Sequence, residues 1–349
     1  MIIRPAAAKD KQVWDDFVSS KPSGSPYHFF AWKTAVEQSY GHMCIYLMAY
    51  ENKKLQGILP LVRIDSPFRK SILVSLPFCD LGGVISESPA IARELVMYAL
   101  QIGRTAGAAR LELRLPMEDD LLQDVGCPTS VSSHKVRLLR SLPTSSDNLW
   151  ETFKSKLKSQ IRKAEKNNLV FQWGSINRIN DFYTVFSRNM RDLGSPVHAV
   201  DWFKSLLSAY DSSARLGLVS LGNEVVGGGI LIAANNKVCI PWASTLRNYN
   251  HLAPNMLLYW NFLKFAADQG YAFFDFGRST PGESTFKFKK QWGAEPTPLY
   301  WYTFFINEPA VVKSDARSSL RSRAEMVWQK LPLPLANFLG PRIRKYISL

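Results

Sequence analysis

The chain has 349 residues, 46% of them hydrophobic, with 43 Lys and Arg against 29 Asp and Glu for a formal net charge of +14. That length and apolar content predict two packed domains, and the charge predicts attraction to polyanions such as RNA, anionic headgroups or diphosphate-bearing substrates, without choosing among them. Four separated cysteines (Cys44, Cys79, Cys127, Cys239) form no CxxC pair, five scattered histidines show no metal-ligand spacing, and no run of about 18 apolar residues offers a bilayer span.

The expected protein is therefore soluble and cytoplasmic, with reduced thiols, no metal and no permanently bound cofactor. Its N-terminus lacks the apolar core of a signal peptide.

In chain order, residues 44–50 and 55–64 are apolar runs around the turn 51–54, the pattern of a hairpin. Residues 71–77 read as a strand and 89–106 as a helix with Leu95, Tyr98 and Ile102 on one face. Gly107 stops that helix, and residues 110–115 form the next strand.

Residues 147–168 read as one amphipathic helix. Trp150, Phe153, Leu157, Ile161 and Ala164 lie on its apolar face, and Lys154, Lys156, Lys158, Arg162, Lys163 and Lys166 on the other. That basic face is either solvated or a binding surface. A helix over 180–193 leads into Gly194-Ser195-Pro196, and the polar segment 186–198 makes Arg191 and His198 candidate substrate contacts.

The first pattern then recurs. Residues 216–221 and 225–233 flank the turn 222–224, and 237–245 is a strand carrying Trp242. Residues 255–269 form a helix with Leu258, Phe262, Phe265 and Ala266 on one face and Gly270 as its stop, followed by a strand over 272–276. The run Gly227-Gly228-Gly229 sits inside a strand and invites close approach of a backbone or a ligand. Hairpin, strand, helix, strand, occurring twice, predicts an α/β (α+β) chain of two like domains, 1–142 and 143–306. Each has a mixed, mainly antiparallel sheet flanked by helices. A basic tail, 307–349, follows.

Residues 273–295 carry the densest chemistry. Asp275 and Gly277 end an apolar strand; Arg278, Ser279 and Thr280 follow. After Pro281-Gly282, Lys287, Lys289 and Lys290 alternate with Phe286, Phe288 and Trp292. One reading is a strand opening into a basic loop that sets cations beside an anionic ligand; the other is a solvated hairpin. The tail, with Lys313, Arg317, Arg321, Arg323, Trp328, Lys330 and a final Gly-Pro-Arg-Ile-Arg-Lys run, suits an interfacial helix on anionic lipid or a helix packed on the first domain.

GxSxG, P-loop and GxGxxG motifs are all missing. The remaining chemistry is direct transfer from a bound acyl donor to an amine acceptor, with fixed cations stabilising developing negative charge. Residues 247–255 precede a helix whose first N–H groups are open to an anion, which makes Asn255 a candidate contact.

The ordered motifs PYHFFAW (26–32), GILPLV (57–62), KSQIRKAEK (158–166), NMRDLGSPV (189–197), PNMLLYW (254–260) and FDFGRST…FKFKKQWGAE (274–295) resemble the FemAB family. That resemblance implies two tandem GNAT-like (acyl-CoA N-acyltransferase-like) domains and transfer of an acyl or aminoacyl group to an amine. Within the family, the chain is most similar to FemAB-like proteins associated with PEP-CTERM/exosortase systems, which implies cell-envelope or exopolysaccharide biosynthesis. The family's FKKGFG segment matches Phe288 to Gly293, where Gln291 and Trp292 are replacements, and Lys289 inherits its place in a substrate channel.

Only Lys289 inherits a role from the family; on the residue pattern itself Arg278 and Lys289 are expected to bind anionic groups and stabilise the oxyanion, and Asp275 to orient the amine or Arg278 or to serve as a structural carboxylate at the strand end. Tyr259 and Trp242 line the channel, and Arg191, His198, Asn255, Gly277, Ser279, Lys287 and Trp292 contact substrate. The donor is aminoacyl-tRNA or acyl-CoA. Residues 247–255 lack the glycine loop of acetyl-CoA enzymes, and no coiled-coil arm interrupts the second half. The implied partners are an anionic or nucleotide-linked acceptor, tRNA, and the inner membrane, touched peripherally by the tail.

Overall fold

The computed structural model describes residues 1–67, 69–119, 122, 125–310 and 315–349, the side chains of 315–321 excepted. The chain divides into two compact units. One comprises Met1–Arg137, Thr297–Val312 and Lys345–Leu349; the other comprises Leu138–Pro296 and Lys313–Arg344.

The first unit begins with β1 (Ile2–Pro5), α1 (Lys11–Ser19), α2 (Phe30–Tyr40) and β2 (Met43–Cys44). There follow β3 (Leu47–Glu51), β4 (Lys54–Leu59), β5 (Val62–Ser66), β6 (Arg69–Val74) and β7 (Ile85–Ser86), then α3 (Pro89–Thr105), β8 (Arg110–Leu115) and β9 (Thr129–Ser132). The expected hairpin exists as β3 and β4, but the single run 55–64 is two strands. Pro60 has no N–H to give a ladder, and the chain passes there from the sheet β1-β3-β4-β7 into a second sheet containing β2, β5, β6 and β8. Leu59, Leu61, Leu73, Leu95, Leu111 and Leu113 share one fully buried core.

The strand Tyr300–Phe305 lies in this unit, antiparallel to β8 on one side and β9 on the other. The first unit is thus discontinuous in sequence, with Tyr300–Phe305 completing its sheet.

The second unit contains β10 (Val136–Ser141, from Leu138 on), α4 (Ser146–Glu151), α5 (Ser155–Lys166), β11 (Leu169–Gly174), α6 (Ile179–Asp192) and α7 (Val200–Tyr210). After these come β12 (Ala214–Leu221), β13 (Glu224–Ala234), β14 (Lys237–Thr245), α8 (Pro254–Asp268), β15 (Phe273–Ser279), α9 (Ser284–Lys290) and β16 (Glu295–Pro298). The sheet order is β11-β12-β13-β14-β15-β10-β16, with β11 to β14 antiparallel and β15 parallel to β14. The same parallel pairing joins β6 and β8 across α3 in the first unit. Each half thus repeats hairpin, strand, helix and parallel strand.

The glycine run makes room for helices on both faces of the sheet. A Cβ on Gly228 would stand 3.1 Å from Phe182 of α6. One on Gly229 would stand 3.1 Å from Phe262 of α8, and one on Gly217, its partner across the ladder, 2.7 Å from the same ring. Close approach is real, and side chains of the protein itself fill the space.

Two expected elements differ in kind. The helix over 147–168 is two helices, α4 and α5, separated at residues 152–154, where the Thr152 hydroxyl donates back to the Leu149 carbonyl (2.6 Å). The basic loop or hairpin over 284–290 is helix α9. With Phe286, Phe288 and three lysines in seven residues, the alternation serves two sides of a short helix as readily as a strand.

The chain ends with β17, the strand Tyr300–Phe305 above, then α10 (Asp315–Gln329) and α11 (Leu333–Arg344). Of the basic tail residues singled out, Lys313 and the side chains of Arg317 and Arg321 lie outside the described residues. The helices pack on α6 of the second unit. Arg191 donates to the Leu331 carbonyl (3.1 Å), Asn337 to the Ser187 hydroxyl (3.4 Å) and Arg344 Nε to His198 Nε2 (3.0 Å). Residues 307–310 and the last five residues belong to the first unit, where Asn307 donates to the Ala108 carbonyl (2.9 Å) and Ser348 O accepts the Phe78 N–H (2.7 Å). Packing on the first domain is thus true of these end segments and not of the two helices. No helix among the described residues is long and apolar enough to cross a membrane.

Candidate active site

β14 and β15 run parallel and in register at three positions, Lys237 opposite Phe273, Val238 opposite Phe274 and Cys239 opposite Asp275. Beyond these they part, β14 continuing to Thr245 and β15 to Ser279. Two strands that separate leave facing edges whose N–H and C=O groups need other partners. An extended ligand with its own amides can satisfy them. The chain leaves the end of β14 through a 3-10 turn (Arg247–Leu252) and enters α8 at Pro254. Proline tolerates the first helical position because its missing N–H would be unpaired there anyway.

The far end of β15 is built for a sharp exit. Asp275, 8% exposed, accepts the Gly277 N–H at 2.8 Å, and Gly277 adopts φ +71°, a conformation that costs glycine nothing. The Arg278 carbonyl then receives both the Ser279 hydroxyl (2.8 Å) and the Lys289 ammonium of α9 (2.6 Å). Lys289 and Arg278 are thus brought together, and the charge-assisted bond pins α9 to the strand end.

An aromatic stack closes the space between α8, β15 and α9. The Tyr259 ring lies parallel to Phe276 (5.7 Å, 6°) and near-parallel to Trp292 (6.2 Å, 28°), with Phe288 edge-on at 5.0 Å. Burial pushes the Tyr259 phenol up to about 12, so it stays protonated at neutral pH.

Residues 152–290 match the family model described as an acetyltransferase (GNAT) domain. This segment is an acyltransferase domain of the GNAT type. The GNAT domain spans α5 through α9 and so contains the parted strands. Among solved structures the chain is similar to FemX (15% identity, 93% of this chain and 100% of that one, TM-score 0.71). It is also similar to L-PGS from Bacillus licheniformis (11%, 95% and 100%, 0.57) and to a tandem GNAT protein from the clavulanic acid biosynthesis pathway (10%, 89% and 99%, 0.56). No curated protein matches. At these identities the structures speak to the fold alone. The tandem GNAT-like, mixed α/β architecture expected from the sequence is the observed one.

The GNAT domain gathers some of the expected site residues and scatters others. Asp275, Gly277, Arg278, Ser279 and Lys289 meet at the end of β15, with Tyr259 and Trp292 in the stack beside them. Asn255 sits in the first turn of α8. His198 and Trp242 are instead buried in an aromatic cluster with Trp202 and Phe203, ring centroids 5.3–6.1 Å apart. Burial holds the His198 pKa well below its ordinary value, and Arg344, which can only donate, makes Nε2 an acceptor. Trp242 is 8% exposed and fills core where a channel lining was expected. Arg191 is committed to Asp192 (2.7 Å) and to the tail. The protein's own groups hold these three: α7, unread in the sequence, sets Trp202 and Phe203 against His198 and Trp242, and Arg344 of α11 meets His198.

Lys287 lies on α9, exposed, at the rim of a cavity of ≈ 580 Å³ that Arg140, Lys154 and Trp292 also line. Sequence reading missed Phe276 and Phe288 as partners of Tyr259, and missed Arg140 altogether. The run Val136-Arg137-Leu138-Leu139-Arg140 has two adjacent leucines and does not alternate, so period 2 gave no signal for its strand. Among the described residues no group of three or more His, Cys, Asp or Glu side chains suits a metal ion.

Proposed function

We propose that the chain is a FemAB-type transferase that moves an acyl or aminoacyl group onto an amine. The observation that carries this reading is the parting of β14 and β15, with the Lys289 ammonium held on the Arg278 carbonyl at the end of the second strand. A donor laid along the parted edges would bring its carbonyl toward Arg278 and Lys289. The neutral acceptor nitrogen attacks the carbonyl carbon and forms the C–N bond, these cations stabilise the resulting oxyanion, and its collapse breaks the bond to the donor's oxygen or sulfur, which leaves with the proton that the nitrogen gives up. Asp275 acts by holding Gly277 and hence the direction of Arg278. Preorganised charge of this kind is worth about 3–4 kcal/mol per donor in other enzymes.

Resemblance to FemAB-like proteins associated with PEP-CTERM/exosortase systems supports an acceptor from cell-envelope or exopolysaccharide biosynthesis, met on the cytoplasmic side of the inner membrane. Aminoacyl-tRNA is the favoured donor because residues 247–252 form a 3-10 turn without glycine; acetyl-CoA is the alternative. The protein is incubated with amine acceptors of both precursor classes, once with tRNA charged with labelled amino acids and once with labelled acetyl-CoA. Transfer from charged tRNA alone is expected, and transfer from acetyl-CoA alone would replace that donor. If neither labels any acceptor and neither binds by calorimetry, acyl transfer at this site is wrong.

A further inference from the structure

The ≈ 580 Å³ cavity lies in the GNAT domain on the side of α9 that carries Lys287 and Lys290. It is lined by Phe153, Leu157, Phe286 and Trp292 and by five cations, Arg140, Lys154, Lys156, Lys287 and Lys290, with Glu295 the one carboxylate. Glu295 is taken by Lys290 at 2.8 Å, so the lining keeps a clear positive excess. Lys154 is the N-cap of α5, where no side chain caps the helix and the first N–H groups carry the positive end of its dipole.

Two further donors point the same way. Trp292 is fully buried and its indole N–H has no acceptor. Arg140 spends its terminal nitrogens on the Gly293 carbonyl (3.1 Å) and the Thr152 hydroxyl (2.7 Å), while its buried Nε is also without an acceptor. Burial lowers the Arg140 pKa, a cost that an anion would relieve. A buried donor left unpaired is a destabilising feature.

We infer that this cavity binds the phosphate end of an organic phosphate, with a nucleoside diphosphate as the fitting class. Phosphate oxygens would sit among Arg140, the rim lysines and the α5 N-terminus, and a planar ring against the part-exposed Phe286. The volume suits a small molecule. A nucleic-acid duplex would need an open groove.

Binding is read directly by calorimetry on the full chain, so the result does not depend on whether acyl transfer occurs. ADP and UDP are expected to bind, inorganic pyrophosphate more weakly, and adenosine not at all. Lys154→Ala/Lys156→Ala should weaken ADP at least tenfold. Lys163→Ala/Lys166→Ala, farther along the same helix and away from the cavity, should leave it within twofold. Trp292→Phe keeps the ring and removes the N–H, and should weaken ADP several-fold with the melting temperature unchanged or raised. Displacement of ADP by coenzyme A would assign the phosphates to an acyl donor. Displacement by a nucleotide-linked sugar but not by coenzyme A would assign them to the acceptor. No heat from ADP, UDP or pyrophosphate at millimolar concentration would overturn the inference. So would equal losses in the two double variants, or binding of an RNA minihelix alone.

Discussion

Gly217→Ala tests the packing that positions the site. The new Cβ would stand 2.7 Å from Phe262 Cζ and 2.8 Å from Phe171 Cε2, and closer still to Phe262 Cε1. Carbon contacts are comfortable at about 3.5–4.0 Å, so at least two rings must retreat by roughly 0.7 Å or more. Neither has room. Phe262 is stacked on Trp173 at 5.5 Å and meets Phe171 edge-on at 6.0 Å. Overpacking of this kind costs about 1–3 kcal/mol, and the blocked retreat places the cost near the upper end.

For a unit of this size each kcal/mol moves the melting temperature by about 2–4 °C, so calorimetry should show a fall of roughly 6–12 °C in the second unit's transition. Phe262→Leu removes the obstructing ring edge, and the double variant should recover at least about 1 kcal/mol relative to the sum of the singles. Gly222→Ala is the control. It has φ +57° with no atom within 4 Å of a Cβ, so it should cost about 1–2 kcal/mol of backbone strain and show no coupling to Phe262. A Gly217→Ala transition within 2 °C of wild type, or strict additivity with Phe262→Leu, would refute the close-approach account. Because α8 also carries Tyr259, one turn before Phe262, its displacement should disturb the stack beside β15.

Other consequences are as direct. His198 is held neutral, its folded pKa below the unfolded one, so its contribution is present above about pH 6.5 and is lost as pH falls below that. Urea unfolding should show wild type losing up to about 1.4 kcal/mol per pH unit between pH 6.5 and 5.5, a slope that His198→Gln removes; an unchanged slope refutes it. A Cβ on Gly340 would stand 2.9 Å from the Val197 backbone N, so Gly340→Leu should lift α11 and expose residues 331–344 to limited proteolysis, and an undiminished resistance would count against that packing. Lys289→Met removes a charge-assisted bond worth about 1.5–3 kcal/mol and, once the donor is known, should cut turnover by about two to three orders of magnitude. Turnover within tenfold of wild type would confine Lys289 to a structural role.

Much of this was readable from residues alone. Residues 110–115 alternate cleanly, residues 237–245 begin as an apolar run behind Asn235-Asn236, and both are strands with those limits. The repeated order of elements was legible because each copy keeps its own hairpin turn and helix stop. A helix as short as α9 shows less than two turns of periodicity, too few to separate it from a strand. The convergence of Tyr259, Gly277, Lys289 and Trp292 was legible because three adjacent elements carry them. The burial of His198 and Trp242 was not: it depends on α7 and on Arg344, a residue 146 positions away. Arg140 was hidden for the same reason, since the residues it joins, Thr152 and Gly293, come together only in the fold.

The strand Tyr300–Phe305 has a consequence for how the chain is made. It is the layer between β8 and β9, so the ribosome must synthesise the entire transferase segment before the first unit can close. Until then β8, in which Leu111, Leu113 and Leu115 alternate with Arg110, Glu112 and Arg114, offers an unpaired edge to any neighbour, the kind of edge that invites aggregation. A gene fragment cut at residue 142 would leave that edge open permanently. Fusing residues 297–312 behind it through a flexible linker should turn an insoluble product into a folded one.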